Sequence, residues 1–250
     1  MASHWTQRAG GSAAQVHWRG LLVKLSVCDH ADRARCYVAG LVVTSVAGLS
    51  DEQLARVRMI YEEAFAADLR VPFGELSQPG DADQMFVALE DSMPAGFAAL
   101  RLLGSVDWTF LRYFAIGRER QGKGLGREFW KLLRVAMDKE AWPERTVFEV
   151  EDPGEAGADE AERAIRERRV KFWTACAARL LPAPGYVLPD YTGSGMTEPM
   201  LLMAATPAAL SDRLIEGDRL KSLVLAIYTD RYGMRSDDPL VLRALASIAT

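Results

Sequence analysis

Between Ala115 and Trp130 the chain reads AIGRERQGKGLGREFW. Gly122, Gly124 and Gly126 alternate with Lys123 and Leu125, and Gln121 and Arg127 flank them. A loop of this kind holds phosphate. Glycines let the backbone approach an anion closely and adopt angles closed to other residues. Backbone N–H groups at a helix start then face the negative charge. Three phosphates compete: that of a nucleoside triphosphate, of a dinucleotide, or the pyrophosphate of coenzyme A. Gly117 to Gly124 spells G-x-x-x-x-G-K-G, which follows the P-loop pattern until its last position. There Gly124 lacks the hydroxyl that coordinates Mg²⁺. A dinucleotide fingerprint requires glycine where Arg127 stands, and a loop that follows the first strand of a βαβ unit. Neither pattern is met.

A second set of reactive residues lies in TVFEVE, Thr146 to Glu151. Strand alternation places Val147, Glu149 and Glu151 on one face and Thr146, Phe148 and Val150 on the other. Two residues along a strand separate the two carboxylates by about 7 Å. All three histidines, His4, His17 and His30, fall in the first 30 residues. A Ser-His or Cys-His constellation is therefore absent from the rest of the chain, and acid–base work falls to a carboxylate or a tyrosine. Cys28, His30 and Cys36 match no zinc spacing, so no metal is expected.

The elements that must position these groups follow from periodicity and punctuation. Residues 1–37 show no sustained pattern and read as a poorly ordered extension. AGLVVTSVA is rich in β-branched residues and reads as a strand. Ser50 and Gln53 form a capping box for a helix whose stripe is Leu54, Val57, Ile60, Tyr61 and Phe65. RVPFGELSQPGDAD is broken by proline and glycine. Two apolar runs about EDSMP make a hairpin, and DWTFLRYFAIG supplies a third strand leading into the glycine loop. A helix over Arg127–Glu140, the strand Thr146–Glu151, a basic helix around RAIRERRVKFWTACAARL and a last strand in PMLLMAA complete the pattern. Residues 207–250 read as a helical C-terminal extension, amphipathic enough to pack on the domain or to mediate a homodimer.

Gln121 to Gly126 is a Q-x-x-G-x-G run between a long strand and a helix. With the element order from about Ala39 to Ala205, two-thirds of the chain, it resembles the GCN5-related N-acetyltransferase (GNAT) superfamily. The resemblance implies an α/β (α+β) fold over residues 38–206, with a mixed, mainly antiparallel central sheet flanked by helices. It implies that amides of Gln121, Gly122, Lys123, Gly124, Leu125, Gly126 and Arg127 bind the pyrophosphate of acetyl-CoA. It also implies that pantetheine pairs with the backbone of Phe114, Ala115 and Ile116, as an added strand would.

Acetyl transfer to an amine needs a base, an oxyanion stabiliser and a proton donor for the leaving thiolate. Glu149 and Glu151 are placed to line the acceptor pocket as base or as cation binder, unless they form a solvated strand face. Many members of the superfamily donate the proton from a tyrosine in a phenylalanine–tyrosine pair of the following helix. Here that pair is Phe172-Trp173, and an indole cannot act as an acid. Tyr186 and Tyr191 are the nearby substitutes, Tyr186 being equally suited to the core. The family's frequent asparagine is replaced by Asp152-Pro153, so no role carries over. Arg163, Arg166, Arg168 and Arg169 read as a solvated helix face pairing with the preceding acidic loop, and RVPF as a specificity segment.

Composition bounds the remaining classes. A net charge of −4 gives no bulk attraction to nucleic acid or to anionic membranes. The run GLLVKLSV is too short to span a bilayer, no cleavage site follows it, and three cysteines make no disulfide framework. A cytoplasmic enzyme is expected. The reading is an N-acetyltransferase that moves acetyl from acetyl-CoA directly to a small-molecule amine in a ternary complex. The alternative is a non-catalytic acyl-CoA-binding or interaction module on the same fold.

Overall fold

The computed structural model describes residues 36–38, 40–190, 197–207 and 215–249. Cys28, His30 and Tyr191 lie outside them. Among the described residues nine strands form one connected sheet: β1 Cys36–Val38, β2 Leu41–Ser45, β3 Asp83–Glu90, β4 Met93–Leu103, β5 Trp108–Ile116, β6 Thr146–Glu151, β7 Ala178–Leu180, β8 Val187–Leu188 and β9 Glu198–Ala205. The order is β1-β2-β3-β4-β5-β6-β9-β7, with β8 on β9. Only β5 and β6 pair in parallel; the other pairings are antiparallel. The architecture is the mixed α/β sheet that the pattern implies. β1 falls partly within the residues read as an extension, so the sheet begins at Cys36. β7 occupies residues that read as helix: α4 (Glu160–Ala175) stops at Cys176, and Ala177 turns at φ 63°.

Local rules account for the remaining elements. α1 (Asp51–Ala64) starts at the capping box, with Ser50 N donating to Gln53 Oε1 at 2.9 Å and Gln53 N to Ser50 Oγ at 3.3 Å. The β3–β4 turn puts Asp91 and Ser92 at φ 50° and 65°, the left-handed pair that a two-residue hairpin requires. RVPFGELSQPGDAD contains a short helix, α2 (Phe73–Ser77).

One face of the sheet is covered by α3 (Leu125–Lys139) and α4, whose core holds Phe129, Trp130, Leu133, Phe148 and Trp173. The other face carries α1 at one end. At the other end lie α5 (Gly217–Ala226), the π-helical turn Ile227–Arg231 that continues it, and α6 (Pro239–Ala246). Leu220, Leu223, Val224, Ile227, Tyr228 and Val241 pack there on Leu103, Phe110, Val147 and Leu202. The tail therefore packs on the domain and is part of its core. Among the described residues no helix is long and apolar enough to cross a membrane.

Candidate active site

The site originates where two neighbouring strands separate. β5 and β6 pair at Thr109–Thr146 and Phe110–Val147 only, whereas β4 accompanies β5 as far as Ile116. Beyond Phe110 one edge of β5 has no strand partner. Aromatic packing holds the strands apart: the Trp173 ring stands 5.2 Å from Phe114 of β5 and 4.3 Å from Phe148 of β6. A register shift opposite Ala99 and Leu100 makes Arg112 an extra residue in β5. That bulge turns Tyr113 and Ala115 toward the α1 face and Phe114 and Ile116 toward the α3–α4 face. A cavity of about 670 Å³ fills the gap, reaching from Gln121 and Arg118 past Ile116, Trp173, Glu149 and Glu151 to Tyr232.

At its mouth the glycine loop has the geometry of an anion cradle. Gly122 and Gly124 sit at φ 77° and 81°, where a side chain would be strained. Gly126 allows close packing instead: a β-carbon there would lie 3.1 Å from the Phe172 ring, which would have to shift slightly. α1 and α4 are capped by Ser50 and Asp159, but α3 begins at Gly124 with no side-chain cap. Arg127 N already donates to Gly124 O at 3.1 Å, so the N–H groups left for a ligand in this first turn are those of Leu125 and Gly126. Gln121 Nε2 donates to Ile116 O at 2.9 Å and pins the loop to the end of β5. Lys123 and Arg127 are exposed beside it.

Glu149 and Glu151 project from β6 toward the same side of the cavity, in opposite environments. Glu149 accepts the Tyr186 hydroxyl and the Tyr232 hydroxyl, the latter 2.9 and 2.8 Å from its two oxygens. Burial drives its carboxyl above the usual range, against those hydrogen bonds and the charge of Arg231. Burial also pushes Glu151 up, but Arg169, bonded to its Oε1, outweighs that and holds it below the usual range. Burial thus favours the protonated form of Glu149, whereas Arg169 favours the ionised form of Glu151.

Tyr186 is placed differently from what an acid role needs. It is 2% exposed, its ring stacks on Tyr228 at 5.1 Å, and its hydroxyl is given to Glu149. Burial and the neighbouring Glu149 push its pKa well up, so it cannot release a proton readily, and it does not line the cavity. Trp173 occupies the wedge between the strands rather than an acid position. Arg166 pairs with Glu155 of the acidic loop and with Glu162 at 2.5 Å. RVPF does not line the cavity, although Leu69 beside it does; Tyr61 and Tyr113 hold this segment, donating to Val71 O and Leu69 O at 3.0 Å each. Arg112, Arg231 and Tyr232 are cavity residues that the sequence reading did not find. Tyr232 meets Glu149 across 83 positions, so no local pattern signals the contact. The π turn that delivers both Arg231 and Tyr232 is a feature common at functional sites. Among the described residues no group of His, Cys, Asp and Glu is arranged to hold a metal ion.

A mixed sheet that parts between two parallel strands, with an uncapped helix N-terminus and glycine cradle at the mouth of the gap, defines an acyltransferase-type α/β domain. Residues 54–164 match the Acetyltransferase (GNAT) family. That stretch resembles a GNAT acetyltransferase domain. Among solved structures the chain is similar to a GNAT-family acetyltransferase from Bacteroides thetaiotaomicron, at 20% identity and TM-score 0.53, covering 72% of this chain and 91% of that one. It also matches the ribosomal-protein-S18-alanine N-acetyltransferase of Escherichia coli, at 16% identity and TM-score 0.44, over 67% and 96% of the two chains. A spermidine N-acetyltransferase mutant from Vibrio cholerae matches at 14% identity and TM-score 0.47, over 67% and 94%. Comparison with curated proteins found no match.

Proposed function

We propose that the protein transfers acetyl from acetyl-CoA to an amine of a small-molecule acceptor. The observation that carries this reading is the pairing of a half-buried, hydroxyl-bonded carboxylate, Glu149, with an uncapped glycine cradle along one cavity. The amides of Gly122 to Gly126 would hold the pyrophosphate, with Lys123 and Arg127 adding charge; the N–H groups of Gln121 and Arg127 themselves donate to Arg118 O and Gly124 O. The free edge of β5 at Phe114, Ala115 and Ile116 would hold pantetheine by strand-like pairing. Acetyl-CoA supplies an activated acyl carbon: a C–N bond forms, the C–S bond breaks, and the sulfur leaves as thiol with one proton from the amine.

The chain's own part is proton handling. Glu149 takes the amine proton, directly or through a water, because its raised pKa makes it a better base than Glu151. Tyr232, whose hydroxyl already donates to Glu149, hands a proton toward the sulfur and recovers one from Glu149. Tyr186 holds the Glu149 carboxylate in place from behind. Glu151, paired with Arg169, sets the charge of the pocket. No cysteine lines the cavity among the described residues, which supports direct transfer over a covalent enzyme intermediate. The indole of Trp173, in the place of the family's tyrosine, favours the second reading, a non-catalytic acyl-CoA-binding module. Steady-state assay of thiol release against an amine panel separates the two: turnover with at least one amine supports the enzyme, and acetyl-CoA binding with no turnover supports the module.

A further inference from the structure

Two arginines, Arg112 and Arg231, line the cavity together with Glu149. Arg231 lies with its guanidinium carbon 4.8 Å from the Tyr232 ring centre and 5.9 Å from that of Phe110. Its charge acts on Glu149. Arg112, the bulged residue of β5, has a side chain only 5% exposed. Its Nη1 reaches Asp83 Oδ1 at 2.9 Å, but Asp83 is shared, its other oxygen accepting from Arg101 at 2.7 Å. The other nearby carboxylate, Asp230, accepts from Ser105 N, Ser105 Oγ and Thr229 Oγ1 at 3.2, 2.8 and 2.9 Å. The Nε atoms of both Arg112 and Arg231 are buried and have no hydrogen-bond partner among the described residues. Burial and the neighbouring Arg231 charge both work against the charge on Arg112.

Two guanidiniums that line one cavity, each with a buried Nε that no described residue accepts from, are costly as a purely structural arrangement. An oxyanion accepts from such forks in pairs of parallel hydrogen bonds and relieves the like-charge repulsion as well. We propose that the acceptor is an amine that also carries an oxyanion, a carboxylate or a phosphate, bound by Arg112 and Arg231 while its amine faces Glu149. This inference rests on the N-acetyltransferase reading and narrows its substrate class. An acceptor of this kind satisfies both signs of charge in the pocket. A polyamine or a simple cation leaves the arginines unmatched and adds repulsion.

The test uses the full chain with acetyl-CoA and matched acceptor pairs, with thiol release and acetylated product measured together. Amino acids are set against their decarboxylated amines, and O-phosphoethanolamine against ethanolamine; the two kinds of pair distinguish carboxylate from phosphate. The expected result is a kcat/KM at least tenfold higher for the oxyanion member of one kind of pair. In Arg231→Gln that ratio collapses to within threefold of unity, chiefly through KM. Arg231→Lys, which keeps the charge and loses the fork, gives an intermediate ratio and serves if the glutamine variant fails to fold, as judged by circular dichroism. Amines without an oxyanion being acetylated as well or better overturns the inference and leaves acetyl transfer standing. An unchanged ratio in folded Arg231→Gln and Arg112→Gln overturns it too. Acetyl-CoA binding without acetylation of either member of any pair overturns both the inference and the catalytic reading.

Discussion

Replacing Glu149 by glutamine separates catalysis from stability with unusual sharpness. Glutamine keeps the shape and one acceptor oxygen for the Tyr186 and Tyr232 hydroxyls, and its amide can donate to a hydroxyl oxygen. It cannot take a proton. Loss of a general base costs about 100- to 1,000-fold in kcat, or about 3–4 kcal/mol of transition-state stabilisation. The affinity for acetyl-CoA should not change, because Glu149 lies on β6 and not in the cradle. Stability moves the other way. Burial places the carboxyl of Glu149 above its ordinary value in the folded chain, so between the unfolded and folded pKa the native state holds more protons. Ionised Glu149 therefore lowers stability once the pH rises through the folded pKa, and glutamine removes that penalty. At pH 7.5 the variant should melt no lower than the parent while losing at least 100-fold in turnover. Thiol-release kinetics and a thermal melt on one preparation measure both. Retention of more than a third of the parent kcat, or a larger loss in Glu151→Gln than in Glu149→Gln, would refute the assignment of the base.

The same pKa logic predicts an acid limb of kcat/KM above the ordinary carboxylate range, because activity needs ionised Glu149; a limb at or below that range in a pH–rate profile contradicts it. Tyr232→Phe should lower kcat about tenfold or more with little change in the KM for acetyl-CoA, since it removes the hydroxyl between Glu149 and the cavity; equal kcat in stopped-flow and steady-state assays removes Tyr232 from the mechanism. In Gly124→Ala a side chain is forced to φ 81°, at a cost of about 1–2 kcal/mol, and a methyl enters the anion cradle. The KM for acetyl-CoA should rise at least tenfold, with a calorimetric Kd following it. A chain ending at Ala205 loses six fully buried apolar side chains of the tail: Leu220, Leu223, Val224, Ile227, Tyr228 and Val241. At about 1.5–3 kcal/mol each, that loss is comparable to the whole stability of a domain, and a cooperative melt of the shortened chain would contradict the packing described above.

The fold was legible where local chemistry decides it. The capping box at Ser50, the Asp91–Ser92 turn and the β-strand pattern of Thr146–Glu151 each carry their structure in a few neighbouring residues. The glycine cradle was legible for the same reason: its positive-φ and close-approach positions lie within six residues. The acceptor side was not. Arg112 belongs to the cavity because of a bulge that only the register with β4 creates. Arg231 and Tyr232 arrive on a helical tail whose amphipathic pattern shows a buried face and not what that face will meet. Tyr186 shows the converse. In one dimension it lies close to the Phe172-Trp173 pair and suits an acid, but its ring fills the core behind Glu149. The end of α4 was overrun because Cys176 to Leu180 has no proline or glycine to stop a helix. Pairing of β7 with β9 ends it instead.

The central claim is that one cavity joins a coenzyme A cradle to the Glu149 base. Incubating the chain with acetyl-CoA labelled in the acetyl group, in the presence of a broad amine panel, tests it most directly by mass spectrometry and thiol assay on one sample. The account predicts labelled acetylamine and free thiol in equal amounts, both lost in Glu149→Gln. Acetyl-CoA that binds and is returned intact in the presence of every amine would contradict it.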